Sequence, residues 1–147
     1  VSLNGDIRVY LSEDLDFSYR NSIFQTCDEA ICEIRLHLRE DDKTLILARM
    51  KDLNQRRKSK QPLAYPSAGS TFKRPPGYFA GTLIDQTGLK GLTVGGAQVS
   101  QKHAGFVINI GNATANDVQQ LISAVQKRVY AKHEVQLFPE LRIIGEF

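Results

Sequence analysis

The clearest periodic signal in the chain lies at Val118, Leu121, Ile122, Val125 and Val129. Apolar positions recurring at three- and four-residue intervals line one face of an α-helix. Thr114-Ala-Asn-Asp117 has the character of a capping box, with Asp in place of the usual Glu, and marks where that helix opens. Such a stripe must pack on a sheet, and the continuous apolar run Phe106-Val-Ile-Asn-Ile110 is the expected central strand. Leu92–Val94 and Ala97–Val99 predict short strands interrupted by Gly95-Gly96. Tyr78–Gln86 predicts a short helix with Phe79, Leu83 and Ile84 inward and Gly88 as its C-terminal cap. Val135–Phe138 and Leu141–Ile144 predict two more strand segments around Pro139-Glu140.

The first third has a different period. Ala30, Cys32, Ile34, Leu36 and Leu38 alternate with Ile31, Glu33, Arg35, His37 and Arg39, the pattern of a half-buried strand with charges on its open face. Asn4-Gly5 predicts a hairpin turn between Val1–Leu3 and Ile7–Leu11. Between them, Asp14–Phe24 reads as a loop with aromatics around Arg20. After Asp41 the spacing of Leu45, Ala48 or Ile46, Met50 and Leu53 suits a helix capped by Asp41 or Asp42. Its distal stretch Asn54–Lys60 is basic and ends before Pro62; basic side chains there complement the helix dipole. The expected class is α+β in three parts: a β part over 1–40, a hinge helix over 41–62, and a small α/β unit over 63–147. In that last unit a mainly antiparallel sheet is covered by helices, with a closing C-terminal strand.

Composition and charge narrow the possible partners. At 147 residues the chain can bury a real core. Its net charge of +3 is spread along the sequence, which argues against nucleic acid and leaves room for a small anion held by a few local cations. No apolar run is long enough to span a bilayer, so no membrane partner is expected. Cys27 and Cys32 are too few for a disulfide framework, and a reduced, cytoplasmic compartment is the default. His37, His103 and His133 are scattered, so no metal site is expected. The opening Val1–Tyr10 reads as mid-strand, the continuation of a longer chain, whereas Arg142–Phe147 reads as a terminus.

Three polar groups stand where folding alone does not require them. Ser70 follows Gly69, which lets the backbone present the hydroxyl at close range, and precedes Lys73 and Arg74, which suit an anion. The same composition also describes a plain polar surface loop. Arg20 sits among Phe17, Tyr19, Ile23 and Phe24, with an ion pair to Asp14 or Asp16 as the ordinary alternative. Glu140 interrupts the apolar run Leu137–Ile144, where an edge or turn carboxylate is the ordinary reading. No Gly-x-Ser-x-Gly elbow surrounds Ser70 and no phosphate loop occurs.

Taken in order, several stretches resemble one family: Phe17-Ser-Tyr-Arg-Asn-Ser-Ile-Phe24, Tyr65-Pro-Ser-Ala-Gly-Ser-Thr-Phe-Lys-Arg-Pro75, Ala80-Gly-Thr-Leu-Ile-Asp85, Gly88-Leu-Lys-Gly91, Gly95-Gly-Ala-Gln-Val99, His103-Ala-Gly-Phe-Val-Ile-Asn109 and Pro139-Glu-Leu-Arg-Ile-Ile-Gly145. The family is the UDP-N-acetylenolpyruvoylglucosamine reductases, or UDP-N-acetylmuramate dehydrogenases, and the short connection after Leu38 resembles its second subtype. The first subtype's longer insertion with a substrate-clamping tyrosine has no counterpart here.

The resemblance implies a flavoprotein oxidoreductase of peptidoglycan synthesis, using FAD and NADPH on a small nucleotide-sugar substrate. Reduced flavin gives hydride to C3 of an enolpyruvyl ether, and a proton is added at C2. It implies catalytic roles for Arg20, Ser70 and Glu140, and substrate contacts for Tyr19, Lys60, Arg74 and His103. It further implies that residues 1–40 are the end of a flavin-binding domain whose glycine-rich turns are not in this sequence. The chain is then a C-terminal fragment, inactive alone. Oligomeric state is left open. The rival class is a non-catalytic module binding an acidic nucleotide sugar or a protein partner through Lys58–Lys60 and Lys73–Arg74. Joint retention of Arg20, Ser70 and Glu140 favours the enzyme.

Overall fold

Residues 1–145 are described by the computed structural model, and their contacts fall into two units, Val1–Asp42 and a second beginning at Lys43. The second unit runs α1 (Lys43–Lys60), β1 (Ser67–Ser70), α2 (Ala80–Gln86), β2 (Thr93–Val94), β3 (Ala97–Val99), β4 (Phe106–Asn109) and α3 (Ala115–His133). Its four strands form one antiparallel sheet in the order β1-β4-β3-β2, so β4 is internal as its unbroken apolar run predicts.

The α3 stripe does what its period requires. Leu121, Ile122, Val125 and Val129 are buried, and they share a core with Ala97, Val99 and Val107 of the sheet and Leu83 and Ile84 of α2. The capping box forms: Asp117 N–H donates to Thr114 Oγ1 at 3.1 Å, and Thr114 N–H donates to Asp117 Oδ2 at 2.9 Å. The same carboxylate accepts from Gly96 N–H at 3.4 Å, tying the β2–β3 turn to the start of α3. A Cβ on Gly95 would land 2.4 Å from that carboxylate, so the turn needs glycine for close approach.

At four places the structure corrects the expected elements or adds to them. First, α2 starts at Ala80 rather than Tyr78, because the Pro75-Pro76-Gly77 turn, closed by Tyr78 N–H to Pro75 O at 3.1 Å, delays it. Phe79 is therefore exposed instead of inward. Second, α1 forms but buries none of its residues. Leu45-Ile46-Leu47 are consecutive, so their side chains spread around the cylinder and make no single stripe. Third, Val135–Phe138 and Leu141–Ile144 are not strands. Leu137 is fully buried, yet the segment makes an isolated bridge between Pro139 and Phe72 rather than a ladder, since Thr71 N–H, which would extend the pairing, is given to Gly105 O.

Fourth, the first unit contains no regular strand. Residues 31–40 keep the alternating pattern, but Ile34, Leu36 and Leu38 are exposed and no ladder forms there among the described residues. What holds the unit is an isolated Ser2–Glu29 bridge, with Val1 O accepting from Ala30 N–H at 2.8 Å. Arg8 pairs with Glu29 at 3.0 Å, and the Tyr10 hydroxyl donates to the same carboxylate at 2.9 Å. The Asn4-Gly5 turn is present as a Ser2–Gly5 turn, with Gly5 at φ +87. Short 3-10 turns at Ser12–Leu15 and Ile23–Gln25 complete the loop.

Asp117 makes the second unit acid-sensitive. Hydrogen bonds from Thr114, its backbone N–H foremost, and then from Gly96 hold the carboxyl below the usual carboxylate range. A carboxyl depressed in the folded state stabilises above its unfolded pKa of about 3.9, and that contribution is lost as pH falls through the folded value. Asp117→Ala is therefore expected to unfold at lower urea than the parent at pH 7, with the gap closing below about pH 4. A gap independent of pH would rule out the ionised cap as its cause.

Candidate functional site

β1 is an edge strand with a kink. Ser67 faces Ile108 and Ser70 faces Phe106, three steps on β1 against two on β4, which is one inserted residue. Gly69, at φ +89, supplies the left-handed conformation the bulge needs. The alternative of a plain surface loop around Ser70 gives way to a bulged strand, with Ser70 exposed at its end.

Thr71, the next residue, is 2% exposed and makes three backbone-directed bonds. Its N–H donates to Gly105 O at 2.8 Å, and its Oγ1 accepts from Val107 N–H at 2.9 Å. That hydroxyl answers an amide in the β4 ladder next to the bulge. Its own carbonyl accepts from Glu140 N–H at 2.9 Å, and Lys73 N–H donates to Phe138 O at 2.8 Å. Ser70 and Glu140, 70 positions apart in sequence, are thereby each within one residue or one hydrogen bond of Thr71. Leu137, fully buried, with its carbonyl held by Gln126 Nε2 at 2.8 Å, anchors the segment that carries Glu140.

His103 belongs to the same frame. Its loop is closed by Ser100 Oγ, which accepts from the N–H groups of Lys102 and His103 at 3.1 and 3.3 Å. Gly105, which receives Thr71, donates its own N–H to His103 Nδ1 at 3.1 Å. The imidazole meets Phe106, the cross-strand partner of Ser70, edge-on at 5.0 Å.

The other candidate residues are placed as follows. Arg74 sits with its guanidinium 4.0 Å over the Phe79 ring, and its Nε donates to Tyr78 O at 3.3 Å. Lys60 is the exposed last residue of α1. Tyr19 and Arg20 lie in the first unit, at the tip of a tight turn in which Ser18 and Asn21 exchange two hydrogen bonds of 3.1 Å. Arg20 has φ +54, an uncommon conformation for arginine that clusters at functional positions. Its Nε lies 3.5 Å from the Tyr19 hydroxyl. Of the expected aromatic surround, the Tyr19 ring meets Arg20, 5.7 Å from its guanidinium carbon, whereas Phe17 is exposed and Phe24 packs edge-on against Tyr10 at 5.7 Å. Asp14, one suggested partner, accepts from Leu11 N–H at 2.9 Å. Among the described residues no group of three His, Cys, Asp or Glu gathers to hold a metal, and no helix is long and apolar enough to cross a membrane.

Sequence reasoning missed Thr71. A buried threonine leaves no periodic trace; the only hint is a hydroxyl beside the inward Phe72.

The second unit is an α+β domain in which an antiparallel sheet is backed by helices, and a bulged edge strand joins a serine to a distant glutamate. Residues 61–144 match the family model described as the C-terminal domain of UDP-N-acetylenolpyruvoylglucosamine reductase, and the chain belongs to that family. It is 52% identical over 143 residues to the UDP-N-acetylenolpyruvoylglucosamine reductase of Caldanaerobacter subterraneus subsp. tengcongensis, covering 97% of this chain and 47% of that one. The corresponding protein of Clostridium botulinum strain Hall is 51% identical over 146 residues, with 99% and 48% covered. The crystal structure of UDP-N-acetylenolpyruvylglucosamine reductase from Thermus caldophilus is similar with a TM-score of 0.73 at 39% identity, over 91% of this chain and 48% of that chain. The chain thus spans about half the length of the relatives it matches.

Replacing Thr71 tests the frame. Thr71→Val keeps the shape but removes the acceptor for Val107 N–H, and leaving a buried amide unpaired costs about 1–3 kcal/mol. Urea unfolding should show that loss, amide exchange at Val107 should accelerate, and Thr71→Ser should restore most of both. A neutral Thr71→Val would mean that the hydroxyl is dispensable.

Proposed function

We propose that this chain supplies the substrate side of a UDP-N-acetylenolpyruvoylglucosamine reductase, a cytoplasmic oxidoreductase of peptidoglycan synthesis that uses NADPH and FAD. The observation that carries the reading is the Thr71 hub, which sets Ser70 and Glu140 on adjoining hydrogen-bonded backbone. Family membership supplies the substrate class, a small nucleotide sugar.

The flavin itself is a poor fit to the residues described. Gly95-Gly96 is the one adjacent glycine pair in the sequence, the natural place to seek a cradle for dinucleotide phosphates. Its turn is filled by the Asp117 carboxylate, an anion where a phosphate would go. We therefore assign flavin binding to the part of the relatives' length that this chain does not span. The chain alone is expected to be inactive, and none of its residues is assigned to the hydride transfer.

The chain's own residues handle the substrate and the proton. The product requires protonation at C2, next to a carboxylate, so negative charge builds at that end and is stabilised by preorganised positive charge. Glu140 orients that end of the substrate, and Arg20, in the first unit, keeps the role of cation that its motif resemblance implies. Ser70 delivers the proton to carbon. An unperturbed hydroxyl is a weak acid, so its alkoxide needs stabilising neighbours, and Lys73 is the nearby cation in sequence. Tyr19, Lys60, Arg74 and His103 are ligand contacts.

The test joins this chain to the N-terminal half of the Caldanaerobacter relative and follows two half-reactions separately. Ser70→Ala should leave reduction of the flavin by NADPH unchanged while slowing reduction of the enolpyruvyl substrate by roughly 10²–10⁴. An equal fall in both would make Ser70 structural and remove the role given to it.

A further inference from the structure

The ring of His103 is held in one tautomer. Gly105 N–H donates to Nδ1, and a backbone amide keeps its proton, so Nδ1 is the lone-pair nitrogen. One nitrogen cannot both carry a proton and accept one, so the neutral ring carries its proton on Nε2. Nε2 has no partner among the described residues. It is not a buried atom either, because no buried side-chain nitrogen or oxygen among them lacks a hydrogen bond. That leaves a directed N–H donor with no acceptor of its own.

Two glycines shape the slot around the ring. A Cβ on Gly81 would stand 3.2 Å from His103 Cε1 and 3.4 Å from Gly105 N. A Cβ on Gly105 would stand 3.1 Å from Cε1 and 3.2 Å from Nδ1. Phe106 lies edge-on against the imidazole, so the ring cannot move aside without repacking. Gly81 is the second residue of α2, where glycine is a poor helix former, and its backbone is not left-handed. Room for the imidazole is the reason left for it.

We propose that His103 is a fixed, neutral hydrogen-bond donor, presenting Nε2–H to an acceptor oxygen of the nucleotide sugar, and that Gly81 and Gly105 are the positioning residues that hold it so. The proposal rests on the reading of His103 as a ligand contact. The donor shares a frame with the candidate acid, because Gly105 O accepts from the residue following Ser70.

The test uses the 147-residue chain labelled with ¹⁵N at histidine, at about pH 8.5, where an ordinary imidazole is neutral. Nδ1 should show the shift of a bare ring nitrogen and Nε2 that of a protonated one; a tautomer mixture, or a proton on Nδ1, overturns the proposal. UDP-N-acetylglucosamine is then titrated in. The Nε2–H signal should move, His103→Phe should weaken binding about tenfold, the worth of one hydrogen bond, and His103→Gln, which keeps an N–H donor, should recover most of it. Gly81→Ala should leave the urea midpoint equal or higher while weakening binding and admitting the second tautomer; unchanged binding and tautomer would remove Gly81 from its role. If the sugar nucleotide shifts the Ser70 and Glu140 amides but leaves His103 Nε2–H unmoved, the donor role falls and the substrate reading survives. If millimolar UDP-N-acetylglucosamine shifts nothing in the second unit, both fall.

Discussion

A single buried threonine sets the geometry on which the candidate site depends. Thr71 comes directly after a bulge, and a bulge leaves ladder groups without their regular partners. Its hydroxyl takes up the amide of Val107, its N–H takes Gly105 O, and its carbonyl takes Glu140 N–H. Unpaired buried amides are expensive, so these three bonds are formed together or the edge of the sheet opens. Three segments distant in sequence meet because one residue satisfies all of them: the serine strand, the histidine loop and the glutamate tail.

How much of this was legible depended on whether an element carries its own evidence. The α3 stripe and its cap were readable because both are local patterns, a period and a box, and both are realised at the residues that carry them. β4 was readable because a strand covered on both faces reads as an unbroken apolar run. Residues 31–40 and 135–144 failed for a common reason. Alternation states which side chains favour burial, whereas a strand exists only when a neighbour completes its ladder. Residues 31–40 form no ladder among the described residues, and the tail stops at one bridge because Thr71 N–H is given to Gly105 O. α1 is the converse case, a helix whose spacing was right and whose apolar residues nonetheless face outward.

The candidate site was legible in part and by a different route. Ser70 and Glu140 were singled out from their local setting, and His103 and Arg74 from motif resemblance, but nothing in the sequence says that Thr71 joins Ser70, Glu140 and His103. Hydrogen bonds between distant segments leave no period. Glycines were informative where the structure gives them a definite load. Gly69 permits the bulge by its φ, and Gly95 makes way for a carboxylate. Arg20 was chosen for its aromatic setting, and it keeps the Tyr19 ring at 5.7 Å. Its left-handed backbone at the tip of a two-residue turn is a better reason to watch it, since such strain persists only when the surroundings enforce it.

The bulge also decides which face of the sheet Ser70 occupies. Side chains alternate along a strand, so residues an odd number of steps apart ordinarily point to opposite faces. Ser67 and Ser70 are such a pair, yet their partners Ile108 and Phe106 are two steps apart and share a face. The inserted residue therefore returns Ser70 to the Ser67 side, because cross-strand partners lie on the same side of the sheet. Val107, the intervening residue of β4, belongs to the core built on α3, whereas Phe106 packs against His103. One face is thus given to stability and the other to the serine and the histidine. Without the extra residue, Ser70 would turn toward α3, where a polar hydroxyl would displace apolar packing and lose access to any ligand. The inserted residue next to Gly69 is accordingly a requirement of the site rather than an irregularity of the edge.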